Sequence, residues 1–314
     1  MSTAEQVRRP TVAIVVCAYT ERRWDVLMDC LSAATVQAGP SDEVLLVVDH
    51  NDHLREAAAA AAPAGVRVVA NTGAVGLSGG RNTGLSSTDK DVVVFLDDDA
   101  VPQTGWLDAQ VLPYADPEVV GVGGVAAPKW LSPRPAWFPE EFLWVVGCTF
   151  RGIPPRPHDI RNPIGVNMSF RREVLAHVGG FSEQLGRVGT LPVGCEETEL
   201  SIKVTAAFPG RRIVHSPVSR VHHQVTRDRV RWSYFASRCW SEGLSKAAVT
   251  RLHGSGSALA SERRYVSRVL PSGFALGVRD ALHGDVWGLA RSVVLVLGLL
   301  LTVLGYARGR ASST

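Results

Sequence analysis

Three consecutive aspartates, Asp97, Asp98 and Asp99, close the apolar run "VVVFLDDDAVP". Side by side they repel one another, so the chain needs a reason to gather them where a strand ends. Alternate side chains of an extended segment share a face, which lets Asp97 and Asp99 point together with Asp98 on the other side. Two carboxylates completed by phosphate oxygens and water suit Mg²⁺ or Mn²⁺, which would relieve the repulsion and bridge to a diphosphate. An acidic turn before a helix would use the same residue type for no chemical purpose.

Other polar residues stand at comparable places. Asp49 closes a second apolar run in "VVDHND", where it can accept from a base N–H or a ribose hydroxyl; a turn-forming aspartate reads alike. "GLSGGRNTG" offers backbone amides, among them that of Gly80, and Arg81 for a phosphate near a helix start. It is neither a P-loop nor a clean GxGxxG, and a tight turn would also use it. In "GCEETELS", Glu196 and Glu199 lie three apart on a helix with Glu197 turned away. One of them can serve as a general base if its surroundings raise its pKa, and a solvated helix face is the plainer reading. His222 and His223 in "SRVHHQV" point to opposite faces of a strand, so one of them can join a metal or phosphate site; His222 is the candidate taken here.

A fold must bring these together. "TVAIVVCA", "EVLLVVD", "GVRVVAN" and "DVVVFLDDD" read as short buried strands. Between them lie an amphipathic helix with Trp24, Leu27, Leu31 and Ala34 at helical spacing, an alanine-rich helix ended by Pro63, and the glycine-rich turn entering a short helix. Alternation of this kind predicts an α/β doubly wound, mostly parallel, Rossmann-like sheet. Ligands of such sheets sit beyond the carboxyl ends of the strands, which selects Ala18, Tyr19, Asp49, Asn71 and the aspartate cluster. Farther on, "GVNMSFRREVLAHVGGF" gives a strand, a helix and a Gly-Gly stop, and "CEETELSIKVTAAF" a helix with Leu200, Val204 and Ala207 on one face. The stretch Pro128–Pro163 holds eight prolines and three tryptophans. It reads as an ordered loop region lining something apolar, with Trp130, Trp137 and the later Asn167 as acceptor-side candidates.

The 314 residues are 46% hydrophobic and 20% charged, which suits one well-cored domain with appendages. A net charge of +3 gives no support to a nucleic-acid partner. Five scattered cysteines without a CxxC pair predict free thiols in a reducing cytosol. The opening "MSTAEQVRRPTVAIVVCAY" reads as a first strand rather than a signal peptide. "SVVLVLGLLLTVLGYA", sixteen uncharged residues from Ser292 to Ala307, reads as a membrane-spanning or membrane-embedded segment, with a buried helix or a hairpin on the membrane surface as the other readings. The expected organisation is a tail over 1–10, a catalytic domain over 11–225 whose donor half is 11–127 and acceptor half 128–225, a helical extension over 226–285, the apolar segment 286–307 and a tail over 308–314.

The ordered set "VVCAYTERRWDVLMDCLSA", "VVDHND", "NTGAVGLSGGRNTGL", "VVVFLDDDAVP", "GVNMSFRREVLAHVGGF" and "EETELSIKV" resembles glycosyltransferase family 2, of the inverting GT-A fold, across roughly residues 11–225. The resemblance implies a nucleotide-diphosphate sugar donor, UDP-linked by family habit, and a divalent metal, Mn²⁺ or Mg²⁺. It implies Asp49 on the base, Arg81 in the loop over the nucleotide, Asp97 and Asp99 on the metal and diphosphate, and Asp98 near the ribose or donor sugar. Where the family reads Glu-Asp before a helix, this chain reads Glu196-Glu197, which makes Glu197 the implied base and leaves Glu196 as its rival. No QxxRW follows residue 200, which favours transfer of a single sugar. The tail "RWSYFASRCWSEGLSKAAVT", "SERRYVSRVLPSG" and the apolar segment resemble more weakly a subgroup acting on lipid-linked sugars, the glucosyl-dolichyl phosphate glucuronosyltransferases. A glycan or lipid-linked acceptor at the cytoplasmic membrane, with the catalytic domain facing the cytosol, fits that likeness. "FLDDDAV" also matches the DxDx[TV] string of haloacid-dehalogenase phosphatases, with Asp97 as nucleophile, although that string normally stands on a first strand. A sugar nucleotidyltransferase, or a binding module that kept the fold without catalysis, are the remaining readings.

Overall fold

Runs of Val, Ile and Leu bounded by polar turns form the centre of the molecule, which is known as a computed structural model describing residues 8–183, 194–254 and 260–311. The elements of the first half are β1 (Val12–Ala18), α1 (Trp24–Gln37), β2 (Glu43–Val48), α2 (Asp52–Ala61), β3 (Val66–Ala70), α3 (Leu77–Ser86) and β4 (Val92–Asp97). β1 pairs in parallel with both β2 and β4, and β2 with β3, so all four strands end on one edge. The helices form for local reasons. Leu27, Leu31 and Ala34 of α1 are fully buried at helical spacing, and the Asn51 side chain caps α2 by accepting from the Leu54 amide.

The second half adds β5 (Ala100–Pro102), α4 (Trp106–Val111), β6 (Val119–Trp130), β7 (His158–Asp159), β8 (Asn167–Arg171), α5 (Arg172–Val178), α6 (Glu196–Ala207) and β9 (Arg212–Val225). The sheet runs β3-β2-β1-β4-β8-β6-β9-β5, with β7 beside β9. β8 lies antiparallel to β4 and β6, whereas β6 and β9 are parallel. β6 is the strand least visible in the sequence, because Gly121, Gly123 and Gly124 lower strand propensity. They are needed for close approach. A Cβ on Gly124 would lie 2.1 Å from the Asn167 side chain, and one on Gly121 2.7 Å from the Phe170 ring. On α6, Leu200 and Val204 are buried as expected, but Ala207 faces solvent at the last turn.

Among the described residues four α-helices follow β9: α7 (Trp232–His253), then α8 (Ala260–Arg264) leading through a π-helical turn at Tyr265–Val269 into α9 (Leu270–Leu282), and α10 (Trp287–Ala311). The proline-rich stretch is ordered, and its apolar partner is internal. Phe138 and Phe142 are buried against Phe235 of α7. Trp137 stacks on Phe138 and meets Trp232 and Phe235, and Trp130 packs edge-on to Phe138. The two tryptophans expected on the acceptor side thus seat this stretch against α7. Asn167 is also corrected. It is fully buried, accepts from Trp106 Nε1 at 2.8 Å and donates to the carbonyls of Val125 and Ser219, so it braces the sheet and has no surface open to a ligand.

Replacing Asn167 with Ala will strand those three buried groups and cost roughly 2–4 kcal/mol in urea unfolding. The KM for the acceptor should stay unchanged, and a raised KM in a protein of wild-type stability would return Asn167 to the acceptor site.

Candidate active site

Parallel strands that end together create a shelf, and the polar residues expected at their ends are on it. Ala18, buried, takes the Asp49 amide on its carbonyl, and the Asn71 amide reaches the Val48 carbonyl. Tyr19 is 40% exposed, so its ring is open to a ligand at this edge. Asp49 is held by its neighbours: Asn71 Nδ2 donates to Oδ1 at 2.6 Å and the Gly76 amide to Oδ2 at 2.9 Å. Thr83 Oγ1 in turn donates to Asn71 Oδ1.

The glycine-rich segment is α3 itself, and two expectations about it change. The Gly80 amide donates to the Gly76 carbonyl inside the helix, so it is not available to a phosphate. Its missing side chain serves packing: a Cβ there would stand 3.3 Å from Cys17 Sγ, and one on Gly84 would strike Val15 of β1. Arg81 is turned inward rather than held out in an open loop. It is 2% exposed, and its guanidinium donates to Glu196 Oε1 at 3.0 Å, to the Gly165 carbonyl at 3.0 Å and to Asp97 Oδ1 at 3.3 Å. Burial alone would lower its pKa, but Glu196 and Asp97 more than reverse that.

Each acid of the aspartate cluster meets at least one cationic side chain. Asp98 receives Arg23 Nη1 at 2.5 Å on Oδ1, while its buried Oδ2 has no hydrogen-bond partner among the described residues. Burial raises the Asp98 pKa, Arg23 pulls it back and Asp99 adds to the rise. Asp99 meets His223 Nε2 at 3.0 Å, Arg229 Nη2 at 3.0 Å and Arg23 Nη1 at 3.2 Å. Burial opposes ionisation there, but His223 and the arginines hold its carboxyl far below the usual range. Arg23 and Arg229 were not singled out in the sequence. Arg23 lies five residues past the end of β1, so the rule that selected Tyr19 could have reached it. Arg229 has no such signal, because its place depends on β9 returning to β5.

The same return decides between the histidines. β5 and β9 pair antiparallel with Ala100 opposite His223 and Val101 opposite His222. His223 is therefore buried beside Asp99, with Nδ1 3.5 Å from Cys148 Sγ, and His222 faces solvent against Gln103. The expected ligand His222 is replaced by His223. One donor atom each from Asp97, Asp99 and His223 lie within 4.8 Å of one another, a set that fits a small divalent cation. Carboxylates and an imidazole are all accepted ligands of divalent metals. The Asp97 side chain, 24% exposed, is the open side of the group.

At the start of α6 the two candidate bases part. Glu196 is buried and engaged by Arg81. Glu197 is half-buried and has no hydrogen bond to another described side chain. Burial, and then the Glu196 carboxylate, push Glu197 up to about 8. Glu242 of α7 adds to the rise and Lys246 opposes it. Glu199 faces away from this group, toward Lys203 and His253.

The family model of glycosyl transferase family 2 matches residues 13–179, which hold β1 through α5 and the whole aspartate edge. The chain belongs to glycosyl transferase family 2. It is 31% identical to the glucosyl-dolichyl phosphate glucuronosyltransferase of Haloferax volcanii over 255 residues, 77% of this chain and 78% of that one. It is also 29% identical over 153 residues to the pre-mycofactocin glycosyltransferase of Mycobacterium tuberculosis, which is 47% of this chain and 30% of the relative. The GT-A fold is shared with a mannosyltransferase of Pyrobaculum calidifontis solved with GDP-Man and Mn²⁺, at a TM-score of 0.60 and 19% identity over 94% of this chain and 88% of that one. GalNAc-T7, solved with UDP, GalNAc and Mn²⁺, matches at 0.55 and 16% identity over 82% and 54%. Membership of this glycosyltransferase family sets aside the phosphatase and nucleotidyltransferase readings.

Arg81→Met will leave Glu196 and Asp97 as uncompensated charges in a site with little solvent. Unfolding in guanidinium should show a loss of roughly 3–5 kcal/mol. A loss under 1 kcal/mol would mean that the two carboxylates do not depend on this guanidinium.

Proposed function

We propose that the chain transfers one sugar, with inversion, from a nucleotide-diphosphate sugar to a hydroxyl of a lipid-linked or cell-envelope glycan at the cytosolic face of the membrane. The observation that carries this reading is the Arg81 bridge. One guanidinium touches Asp97 on the donor edge and Glu196 on the helix that bears Glu197, so donor acids and base stand on opposite sides of one short span. The resemblance to an enzyme acting on glucosyl-dolichyl phosphate supports a lipid-linked acceptor. The two fold relatives solved with nucleotides and Mn²⁺ support the donor class and the metal. A uridine diphosphate donor is the form tested first.

On this reading Asp49 and Tyr19 receive the base. Asp97, Asp99 and His223 would hold the divalent cation, which when bound offsets the charge of the departing diphosphate. Arg23 and Arg229 keep Asp99 ionised and in place. Glu197 takes the proton of the acceptor hydroxyl, which attacks the anomeric carbon from the side opposite the leaving group. Glu196 cannot share that task while it is paired with Arg81, and the buried pair instead fixes the start of α6. A base whose proton is lost near pH 8 is matched to a hydroxyl better than an ordinary carboxylate would be.

A first experiment measures thermal unfolding against uridine, guanosine and thymidine diphosphate sugars with Mn²⁺ or with chelator. The expected result is stabilisation by one nucleotide class with metal alone, on the order of 2.7 kcal/mol at a hundredfold excess over Kd. Asp99→Asn should abolish it; no stabilisation by any nucleotide under either condition would refute the donor assignment.

A second experiment separates the glutamates. Glu197→Gln should lower kcat by about 10²–10⁴ with little change in stability. Wild-type turnover should rise through about pH 8 as Glu197, surrounded by Glu196, Arg81, Glu242 and Lys246, gives up its proton. Glu196→Gln should chiefly lower stability; the reverse pattern would make Glu196 the base.

A further inference from the structure

The apolar segment near the C-terminus is long enough to cross a bilayer. The 25 residues of α10 rise about 37 Å at 1.5 Å each, against about 30 Å of hydrocarbon. Its neighbours prevent it from doing so. α7 lies along one flank, where Cβ atoms on Gly243 and Gly305 would fall 2.1 Å from the Thr302 carbonyl oxygen and 2.2 Å from that of Trp240. Phe235 faces Gly298 and Ala247 faces Gly309, so the two helices run the same way over most of α7. α9 closes the other flank as an antiparallel hairpin, with Gly277 and Gly288 in equally close contact and Ser292 Oγ donating to the Phe274 carbonyl.

A membrane crossed by α10 would therefore have to be crossed by α7. That helix carries Arg238, Glu242, Lys246 and Arg251, and each charge at the bilayer centre costs about 2.5–3.5 kcal/mol or more. α7 is also fastened to the entry of the catalytic helix α6. The Gly194 amide donates to Ser245 Oγ, and Cys195 Sγ lies 3.6 Å from Glu242 Oε1. Crossing would tear α10 from the catalytic domain.

The third flank of α10 carries a different surface. Leu289, Val293, Val296, Leu300, Val303 and Leu304 recur at three- and four-residue steps and are 45–56% exposed. The chain that flanks them in sequence is basic. Residues 260–311 hold seven arginines and three acids, and Arg263, Arg264, Arg268, Arg308 and Arg310 are exposed. An apolar stripe with a cationic rim is complementary to an anionic lipid surface.

We infer that the α9–α10 hairpin docks in the plane of the membrane, with this stripe sunk into the headgroup–acyl boundary of one leaflet and both ends of α10 on the same side. The occupant of the face is anionic lipid. The docking holds whatever sugar and acceptor the site serves, so its failure and a failure of the transfer reading are separate results.

The test uses the full chain and vesicles of phosphatidylethanolamine and phosphatidylglycerol. The protein should float with the vesicles, and Val296→Glu combined with Leu300→Glu should reduce the bound fraction at least tenfold without moving the thermal unfolding midpoint. Single cysteines at His283→Cys and Arg310→Cys, read above the background of the unsubstituted chain, should react with a membrane-impermeant maleimide from the same side of native membrane vesicles. Labelling from opposite sides would show a spanning helix and overturn the inference. So would absence of flotation, or a dimer that the glutamates break in a protein with no affinity for vesicles.

Discussion

The arrangement of the site depends on balancing buried negative charge. Asp98, Asp99 and Glu196 are nearly inaccessible to water, and Asp97 is only partly open. A carboxylate in that setting needs a cation and hydrogen bonds or it takes up a proton. The chain supplies three arginines and a histidine from three separate regions. Arg23 follows β1, Arg81 stands in α3, and His223 and Arg229 arrive with the end of β9. These pairs join residues 75, 115 and 130 positions apart, so the electrostatic balance is also a specification of tertiary structure. No single pair need add net stability, because desolvation offsets much of the attraction. On the proposed reading the pairs would hold charges still where a leaving diphosphate develops its own, which is the preorganisation that electrostatic catalysis requires.

How far the sequence could be read follows from the same point. Interactions set by short-range pattern were visible in it. The four parallel strands announced themselves as β-branched runs, α1 by its helical spacing and α2 by its alanines and closing proline, and the edge rule then found Tyr19, Asp49, Asn71 and the aspartates. Interactions set by long-range return were not. His222 and His223 are indistinguishable until the register of β5 against β9 is known. Gly80 and Arg81 looked like phosphate ligands because glycines and an arginine near a helix start suit that use. The same residues equally suit a helix pressed against β1 with its one cation turned inward, and only the packing of Gly80 and Gly84 on Cys17 and Val15 decides between them. Asn167 was misplaced for a related reason: a buried amide that ties two strands to Trp106 has no local signature.

The aromatic segment shows a different limit. Its tryptophans and prolines correctly signalled order together with an apolar partner, and the partner lay elsewhere in the same chain. Phe138, Phe142 and Phe235 form a core of their own, joined to Val294 and Leu295 of α10. The C-terminal helices are therefore an extension of the catalytic fold. Because Cys195 and Glu242 meet at the entry to α6, α7, the helix on which α10 packs, also helps to set the environment of Glu197.

The pair Glu196-Glu197 shows how such a scaffold can assign two identical side chains to different tasks. Adjacent residues at the first turn of a helix point about 100° apart, so only one of them can face Arg81. The one that does is fixed by that contact, and its carboxylate acts on the other. Glu197 meets the Glu196 carboxylate, the Glu242 carboxylate and partial burial together, with Lys246 as the opposing charge, and its proton affinity rises. Neighbours that the sequence cannot tell apart are thus placed differently, one against Arg81 and one without a side-chain hydrogen bond among the described residues.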